Sequence, residues 1–523
     1  MSVLRTGDQN ILWDAGLKAR CLADMGHIVV HDVHTADVFS RPPQGACAVT
    51  VAPEAYLPDG RLSQWTASVE SALFLGRMAL PPNELTNRGV NLKRMATGIG
   101  LSVEKAVMQI TEGEWFGVSL PQSDLVAHGV KIEQFKGAYA IFRKTIRDNL
   151  RQALLIKQTP PLFDALFDFA ANPSFRLGVV APRILREYLE KCGVTESRVQ
   201  VTTSLEAYGE CEDEKGILAR FLSQYTYLRN VYNEAISQGQ EAIAVLKEGD
   251  LPFYAVVRKY ATNELVRVPL EYQSGDTVHR LRTRIALQGE VVAILGKAIP
   301  IILTILRSGP CVIPEKGSPY IPQALAFAKS VGGEFKALHE MHTLQVNALD
   351  ALADVDGRVV LPEYLQRVWG TGPVTVREIG MHWREMSEQA QRRAEQLSGQ
   401  LEDVIPVLID EGYVGSDIAA QARSVLARVA DYNSKMGEVF RTLPKDQQQS
   451  RKDELDREYQ PKVLLRVAEV FSGQFERIRA EALRDMIGIF RSLAYWNCRP
   501  FATWVDALPG WYEAIRARAT LTT

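Results

Sequence analysis

Apolar positions along the chain fall into two regimes. Up to about residue 372, short runs of β-branched and aromatic residues alternate with segments whose apolar residues recur every three or four positions. From Val374 onward almost only the helical period remains. In the first regime His27–His31, Ala46–Val51, Leu177–Val180 and Val199–Thr203 read as strands. Residues 10–25, ending at Gly26, and Ser63–Leu80, Lys131–Lys157 and Pro182–Lys191 read as helices, the last closed by Gly193. Leu177 to Thr203 then forms a compact βαβ unit, which implies parallel strands. A long helix is expected to end near Ser237. Phe253–Tyr260 and Leu265–Tyr272 alternate around Ala261-Thr262-Asn263-Glu264 and predict a hairpin.

The joint between the regimes runs from Arg280 to Pro322. Its apolar run, Val291–Leu306, reads as a buried helix ending at Arg307-Ser308-Gly309-Pro310. Cys311–Ile313, a helix over Pro319–Ser330 and Phe335–Leu338 then suggest a second βαβ unit, the last piece serving equally as the start of a helix through Leu352. Beyond it, Ile379 to Leu408 steps by three or four without a break. Gly412–Gly415 turns the chain into a helix over Ile418–Val439. Pro444 and the polar run Lys445–Lys452 turn it again, into a helix over Leu464–Leu493. Helices of about 35 residues reach about 50 Å. Short turns between them predict antiparallel neighbours. A tail with Trp504, Trp511 and Tyr512 is expected to fold back onto this arm or its partner. The expected fold is therefore a mixed α/β body with Rossmann-like βαβ units, followed by a C-terminal antiparallel helical bundle or coiled-coil arm. The expected domains are an N-terminal α/β lobe over 1–160, a second lobe over 161–372 and the helical region over 373–523.

Composition narrows the class more than the chemistry. At 523 residues, several domains are expected. The 46% hydrophobic and 23% charged fractions are those of an ordinary globular protein, and a net charge of −2 argues against a surface wholly devoted to nucleic acid. Cys21, Cys47, Cys192, Cys211, Cys311 and Cys498 stand far apart, as in a chain kept reduced, so a cytoplasmic location is expected. No apolar signal segment opens the sequence. Val291–Leu306, interrupted by Lys297 and Pro300, is too short for a membrane span.

Four segments share one form, a strand end followed by Pro and a charge: Val51-Ala52-Pro53-Glu54, Val180-Ala181-Pro182-Arg183, Val312-Ile313-Pro314-Glu315 and Val360-Leu361-Pro362-Glu363. Were they strands of one parallel sheet, their charges would line the edge where α/β sheets hold ligands. The plain alternative is that Pro both ends strands and starts helices. Glu315-Lys316-Gly317-Ser318-Pro319 is the most site-like of them. Gly317 admits close approach, Ser318 can cap a helix that starts at Pro319, and Lys316 adds positive charge, which together suit an anion. The anion-binding set is thus Lys316, Gly317, Ser318 and Arg183, with Glu315 and Glu54 as weak acid–base candidates.

Arg280, Arg282 and Arg284, with Arg143 and Arg147 on the basic face of the Lys131–Lys157 helix, form a weaker nucleic-acid candidate. A solvated face, or ion pairs with the acidic cluster Glu206–Glu214, is the more ordinary account. His339-Glu340-Met341-His342 misses the HExxH spacing, and Asp350, Asp354 and Asp356 do not fit an EF-hand, so no metal is expected. The P-loop, GxGxxG and GxSxG motifs and the kinase signature set are absent. No family resemblance, cofactor or reaction emerges. Two expectations remain: an enzyme or sensor for a phosphorylated or nucleotide-like small molecule, or an assembly protein that associates through its helical arm.

Overall fold

The computed structural model describes residues 3–8, 15–33, 47–48, 82–103, 105–106, 119–120, 151, 185–203, 215–237, 243–261, 265–314, 321–498, 500 and 502–522. The expected helix Ser63–Leu80, the expected strand Leu177–Val180 and all of the expected helix Lys131–Lys157 except Arg151 lie outside the described residues. What is described is a mixed α/β fold with a six-stranded sheet, a three-stranded sheet and a long C-terminal helical region.

The six-stranded sheet draws strands from both ends of the chain. They are β1 (Val3–Asp8), β2 (Ile28–Val33), β5 (Val199–Thr203), β9 (Cys311–Pro314), β10 (Met341–Gln345) and β13 (Thr520–Thr522). Their order in space is β5-β2-β1-β9-β10-β13. The first five are parallel and β13 closes the edge antiparallel to β10. The chain therefore builds outward from β1 through β2 to β5, then returns to the other side of β1 and builds outward again through β9 and β10. Helix α1 (Ala15–Asp24) makes the crossover from β1 to β2. It buries Leu17, Ala19, Cys21, Leu22 and Ala23.

β3 (Cys47–Ala48) and β4 (Ser119–Leu120) form a separate antiparallel pair, with α2 (Pro82–Asn87) and α3 (Leu92–Ile99) between them in the chain. Of the helix expected over Pro182–Lys191, residues 185–191 are described and are helical, and Gly193 follows with φ +76°.

The expected hairpin forms as β6 (Asp250–Arg258) and β7 (Leu265–Glu271). The expected buried helix Val291–Leu306 is instead two elements. Strand β8 (Glu290–Gly296) adds to β6, and helix α7 (Ala298–Ser308) follows. A short apolar run carries no periodicity that separates strand from helix, and Val291-Val292 favours the pleat. Both faces of β6 are buried. Phe253, Ala255 and Val257 enter a core with α4 (Ile217–Ser223), α5 (Tyr225–Ser237) and α7, while Tyr254 and Val256 enter a smaller cluster with Leu295 and Ile301. The single helix expected before Ser237 breaks at Gln224 into α4 and α5. α6 (Val278–Ala286) leads into β8.

The second βαβ unit is present with a different second strand. α8 (Ile321–Val331) is followed by a 3-10 turn over Gly333–Ala337 where Phe335–Leu338 was expected to be extended, and β10 comes after it. α9 (Ala348–Ala351), β11 (Arg358–Val359), α10 (Glu363–Trp369) and β12 (Val374–Thr375) lead into the helical region, with β11 and β12 paired in a ribbon of their own.

In that region the unbroken helix expected over Ile379–Leu408 is interrupted. α11 (Val376–Gln396) starts on a Thr375–Glu378 capping box, and α12 (Leu401–Asp410) begins after Ser398-Gly399. α13 (Ser416–Thr442) follows the predicted Gly412–Gly415 turn. The polar run expected to be a turn is α14 (Lys445–Tyr459). Only Leu455 and Tyr459 are buried in it, so its apolar period is too sparse to read from the sequence. α15 (Pro461–Cys498) spans 38 residues, then α16 (Ala502–Ala507) and α17 (Trp511–Arg518) lead to β13. The aromatic tail folds onto the α/β body. The Trp511 indole donates to the Ala348 carbonyl at 2.8 Å and the Tyr512 hydroxyl to Asp24 at 2.5 Å. One core accordingly holds Leu4, Val29, Val312 and Leu344 of the sheet together with Trp383, Leu408, Phe475 and Ile515.

Candidate functional site

The parallel strands end together on one edge of the six-stranded sheet. Register places Gly7 beside Asp32, Asp8 beside Val33, Val33 beside Thr203, and Pro314 beside Leu344. The chain leaves β1 and β9, which are neighbours, in opposite directions across the sheet. In open α/β sheets such a divergence leaves a crevice outside the carboxyl ends of the two strands, because their connections go to opposite faces. Asp8 and Asp32 are placed at this edge by the backbone. Two residues inside it, Thr6 is 1% exposed, and its hydroxyl has no hydrogen-bond partner among the described residues.

The chain leaves this edge from β1, β9 and β10. Residues 9–14 follow β1 and residues 315–320 follow β9; both lie outside the described residues. The turn after β10 is described, and it is already filled by protein. The Asn497 side-chain oxygen accepts the backbone N–H groups of Leu349 and Asp350 at 2.9 and 3.2 Å, and its amide donates to Asn347 Oδ1 at 3.4 Å. Donors that would otherwise attract an anion at the start of α9 are thus spent inside the fold.

Glu54, Arg183, Glu315, Lys316, Gly317 and Ser318, the sequence-derived ligand and acid–base set, all lie outside the described residues, as do Arg143 and Arg147. Of the four strand–Pro–charge ends, two can be placed. Pro314 ends β9 in the six-stranded sheet. Val360-Leu361-Pro362 follows β11 in the separate ribbon, and Glu363 opens α10. These two ends do not belong to one sheet, so the condition that all four strand ends share one sheet is not met. The Pro362 motif is a helix start.

Arg280, Arg282 and Arg284 sit on α6, where each guanidinium reaches back to its own lobe. Arg280 donates to the Gly275 carbonyl at 3.0 Å and Arg282 to the Val291 carbonyl at 3.1 Å. Arg284 makes a forked pair with Asp276 at 2.7 and 2.8 Å and donates to the Glu271 carbonyl. Arg282 and Arg284 thus tie α6 to β8 and β7, and Arg280 ties it to the turn before it. The acidic loop after β10 is likewise committed: Asp350 pairs with Arg384, Asp354 with Arg518 and Asp356 with Arg377. No group of three metal-ligating side chains occurs among the described residues, and no helix there is long and apolar enough to cross a membrane.

Two buried polar clusters escaped the sequence reading. Asp506 of α16 accepts from Arg20 of α1 at 2.9 Å and from the Tyr188 hydroxyl at 2.8 Å, and the Arg20 guanidinium stacks 3.4 Å over the Tyr512 ring. Burial raises the Asp506 carboxyl above its ordinary range, against the pull of Tyr188 and Arg20. Burial also pushes the Cys21 and Cys192 thiols up to about 12 and about 11, so neither is an activated nucleophile.

The second cluster centres on Arg479, 1% exposed, which donates to the carbonyls of Leu397, Gly89, Arg88 and Gly399 and pairs with Glu476 at 3.5 Å. It ties α15 to the breaks between α2 and α3 and between α11 and α12. The sequence did carry a signal for it: Arg479 occupies the apolar register of Phe475, Ala482 and Met486. Nearby, α3 crosses α15 at backbone contact, where a Cβ on Gly98 would lie 2.4 Å from the Gly473 Cα.

No family model matches the chain, and neither curated proteins nor solved structures give a significant match.

Proposed function

We propose that the chain binds a phosphorylated or nucleotide-like small molecule at the carboxyl edge of the six-stranded sheet, where β1 and β9 diverge. The observation that carries the reading is the strand order β5-β2-β1-β9-β10, with its reversal at β1 and β9. The sequence Lys316-Gly317-Ser318 follows within four residues of the last residue of β9. A turn of that composition supplies backbone N–H groups, one cation and one hydroxyl, the donors a phosphate needs. Lys316 and Ser318 hold the anion, Gly317 admits the backbone, Arg183 assists, and Glu315 or Glu54 does any acid–base work. The filled turn after β10 favours the segments that follow β1 and β9 as the place for the ligand.

Thermal denaturation against a panel of nucleotides, sugar phosphates and pyrophosphate tests the reading. At least one compound should raise the midpoint of the wild type and fail to do so for Lys316→Ala/Ser318→Ala. A flat panel rules it out.

A second reading, self-association through an antiparallel helical arm in a cytoplasmic assembly, is favoured by one observation. Phe440 on α13 and Val463 and Leu465 on α15 are apolar and exposed. α13 and α14 touch through Tyr432, which donates to Asp456 at 2.9 Å, and Lys435, which donates to the Tyr459 hydroxyl at 2.5 Å. Light scattering that returns the monomer mass across the accessible concentration range ends this second reading.

A further inference from the structure

We infer that residues 502–522 form a strap that lies across the six-stranded sheet and opens as one piece, ahead of the rest of the core. The strap is independent of the ligand reading above.

The segment has no stability of its own. α16 has six residues and α17 eight, fewer than the about 12–15 that an isolated helix needs in water, and β13 has three. Gly510, at φ +82°, separates the two helices. Each piece is therefore held by what it docks on.

The docking points are spread over the α/β body. α16 buries Val505 and Leu508 and sets Asp506 against Arg20 of α1 and Tyr188. α17 buries Trp511, Tyr512 and Ile515. Its Tyr512 hydroxyl donates to Asp24 of α1, and its Trp511 indole to the Ala348 carbonyl beyond β10. The Ala519 N–H donates to the Ile515 carbonyl, so β13 runs straight out of α17. β13 then pairs Leu521 with Leu344 on the outer edge of β10. From β1 to β13 is three strand spacings, about 14 Å. The outer part is the least buried, since Arg516, Ala517, Arg518, Thr520 and Thr522 are exposed. A three-residue ladder cannot stay in place once α17 has left, so the anchors of α17 hold both ends together.

Two free cysteines separate this opening from global unfolding. Cys21 of α1 is 0% exposed and in hydrogen-bond contact with Tyr512, so lifting α17 uncovers its thiol. Cys311 is buried in β9, between β1 and β10, and reports opening of the sheet itself.

Thiol labelling of the full chain, read by mass spectrometry over urea concentrations below the unfolding transition, tests this alongside hydrogen exchange. Cys21 should label faster than Cys311 and with a shallower urea dependence. Amides of 343–345 and 520–522 should exchange with the opening constant that Cys21 reports. Asp506→Ala should speed Cys21 labelling and exchange at both strands at least about tenfold, because it removes two hydrogen bonds to a buried carboxyl. Tyr188→Phe removes one of those donors and should act in the same direction by less, which keeps the test open should Asp506→Ala fail to fold. Cys21 and Cys311 labelling at one rate with one urea slope overturns the strap. Cys21 leading while the β10 and β13 amides wait for global unfolding overturns its opening in one piece.

Discussion

The two larger sheets among the described residues are built on opposite terms. The antiparallel sheet uses residues 250–296, closes through neighbouring segments and buries both faces of its central strand. The six-stranded sheet begins at residue 3, ends at residue 522, and needs helices from the far end of the chain to hold its edge. A sheet completed locally has its polar groups answered locally, as the Arg284–Asp276 fork illustrates. A sheet completed by distant segments depends on buried polar clasps, Asp506 with Arg20 and Tyr188, Asn497 with α9, and Arg479 with four carbonyls. The Asp506 and Asn497 clasps tie C-terminal helices to α1 and α9, while the Arg479 clasp ties α15 to the α2–α3 and α11–α12 breaks.

The largest expected effect comes from breaking the most buried clasp. Arg479→Met leaves four carbonyls and the Glu476 carboxylate without their donor, and should cost about 3–5 kcal/mol, read as a fall in the urea midpoint. A loss within the range of an ordinary surface substitution would mean that the clasp does not hold the helices.

Trp511→Phe removes a single donor to the Ala348 carbonyl and should cost about 1–3 kcal/mol. Its exchange signature sharpens the contrast between the sheets: amides of β10 and β13 should open sooner while those of β6 and β8 stay protected. Tyr225→Phe should do the reverse at about 1 kcal/mol, because the Tyr225 hydroxyl accepts from Gly249 N–H at 2.7 Å within the antiparallel lobe. Equal loosening of both sheets by either change would erase the distinction.

The smallest effect is a pH dependence. Burial raises the Glu476 carboxyl above its ordinary value, against the pull of the Arg479 guanidinium. The folded state therefore holds the Glu476 proton more tightly than the unfolded chain does. This group's contribution falls as pH rises from the ordinary glutamate value toward the raised one. Glu476→Gln should flatten that part of the stability profile; an unchanged slope counts against the buried carboxyl.

What the sequence disclosed follows the same division. The β6–β7 hairpin was legible because alternation and a short turn are local signals, and so was β5. Val291–Leu306 was misread because a strand and a helix abut at Gly296-Lys297 inside one apolar run. α14 was read as a turn because it buries so little. The order of the parallel strands, on which the site depends, was not legible, since parallel pairing leaves no mark between segments hundreds of residues apart. Lys316-Gly317-Ser318 lies outside the described residues, and the Pro362 motif stands at the start of α10.

The central claim is a ligand at the divergence of β1 and β9. Calorimetric titration of pyrophosphate into the wild type and into Lys316→Ala/Ser318→Ala tests it directly. The expected result is saturable one-site binding by the wild type and affinity lowered at least about tenfold, roughly 1.4 kcal/mol, in the variant. Equal affinities, or no heat of binding to the wild type, would contradict it.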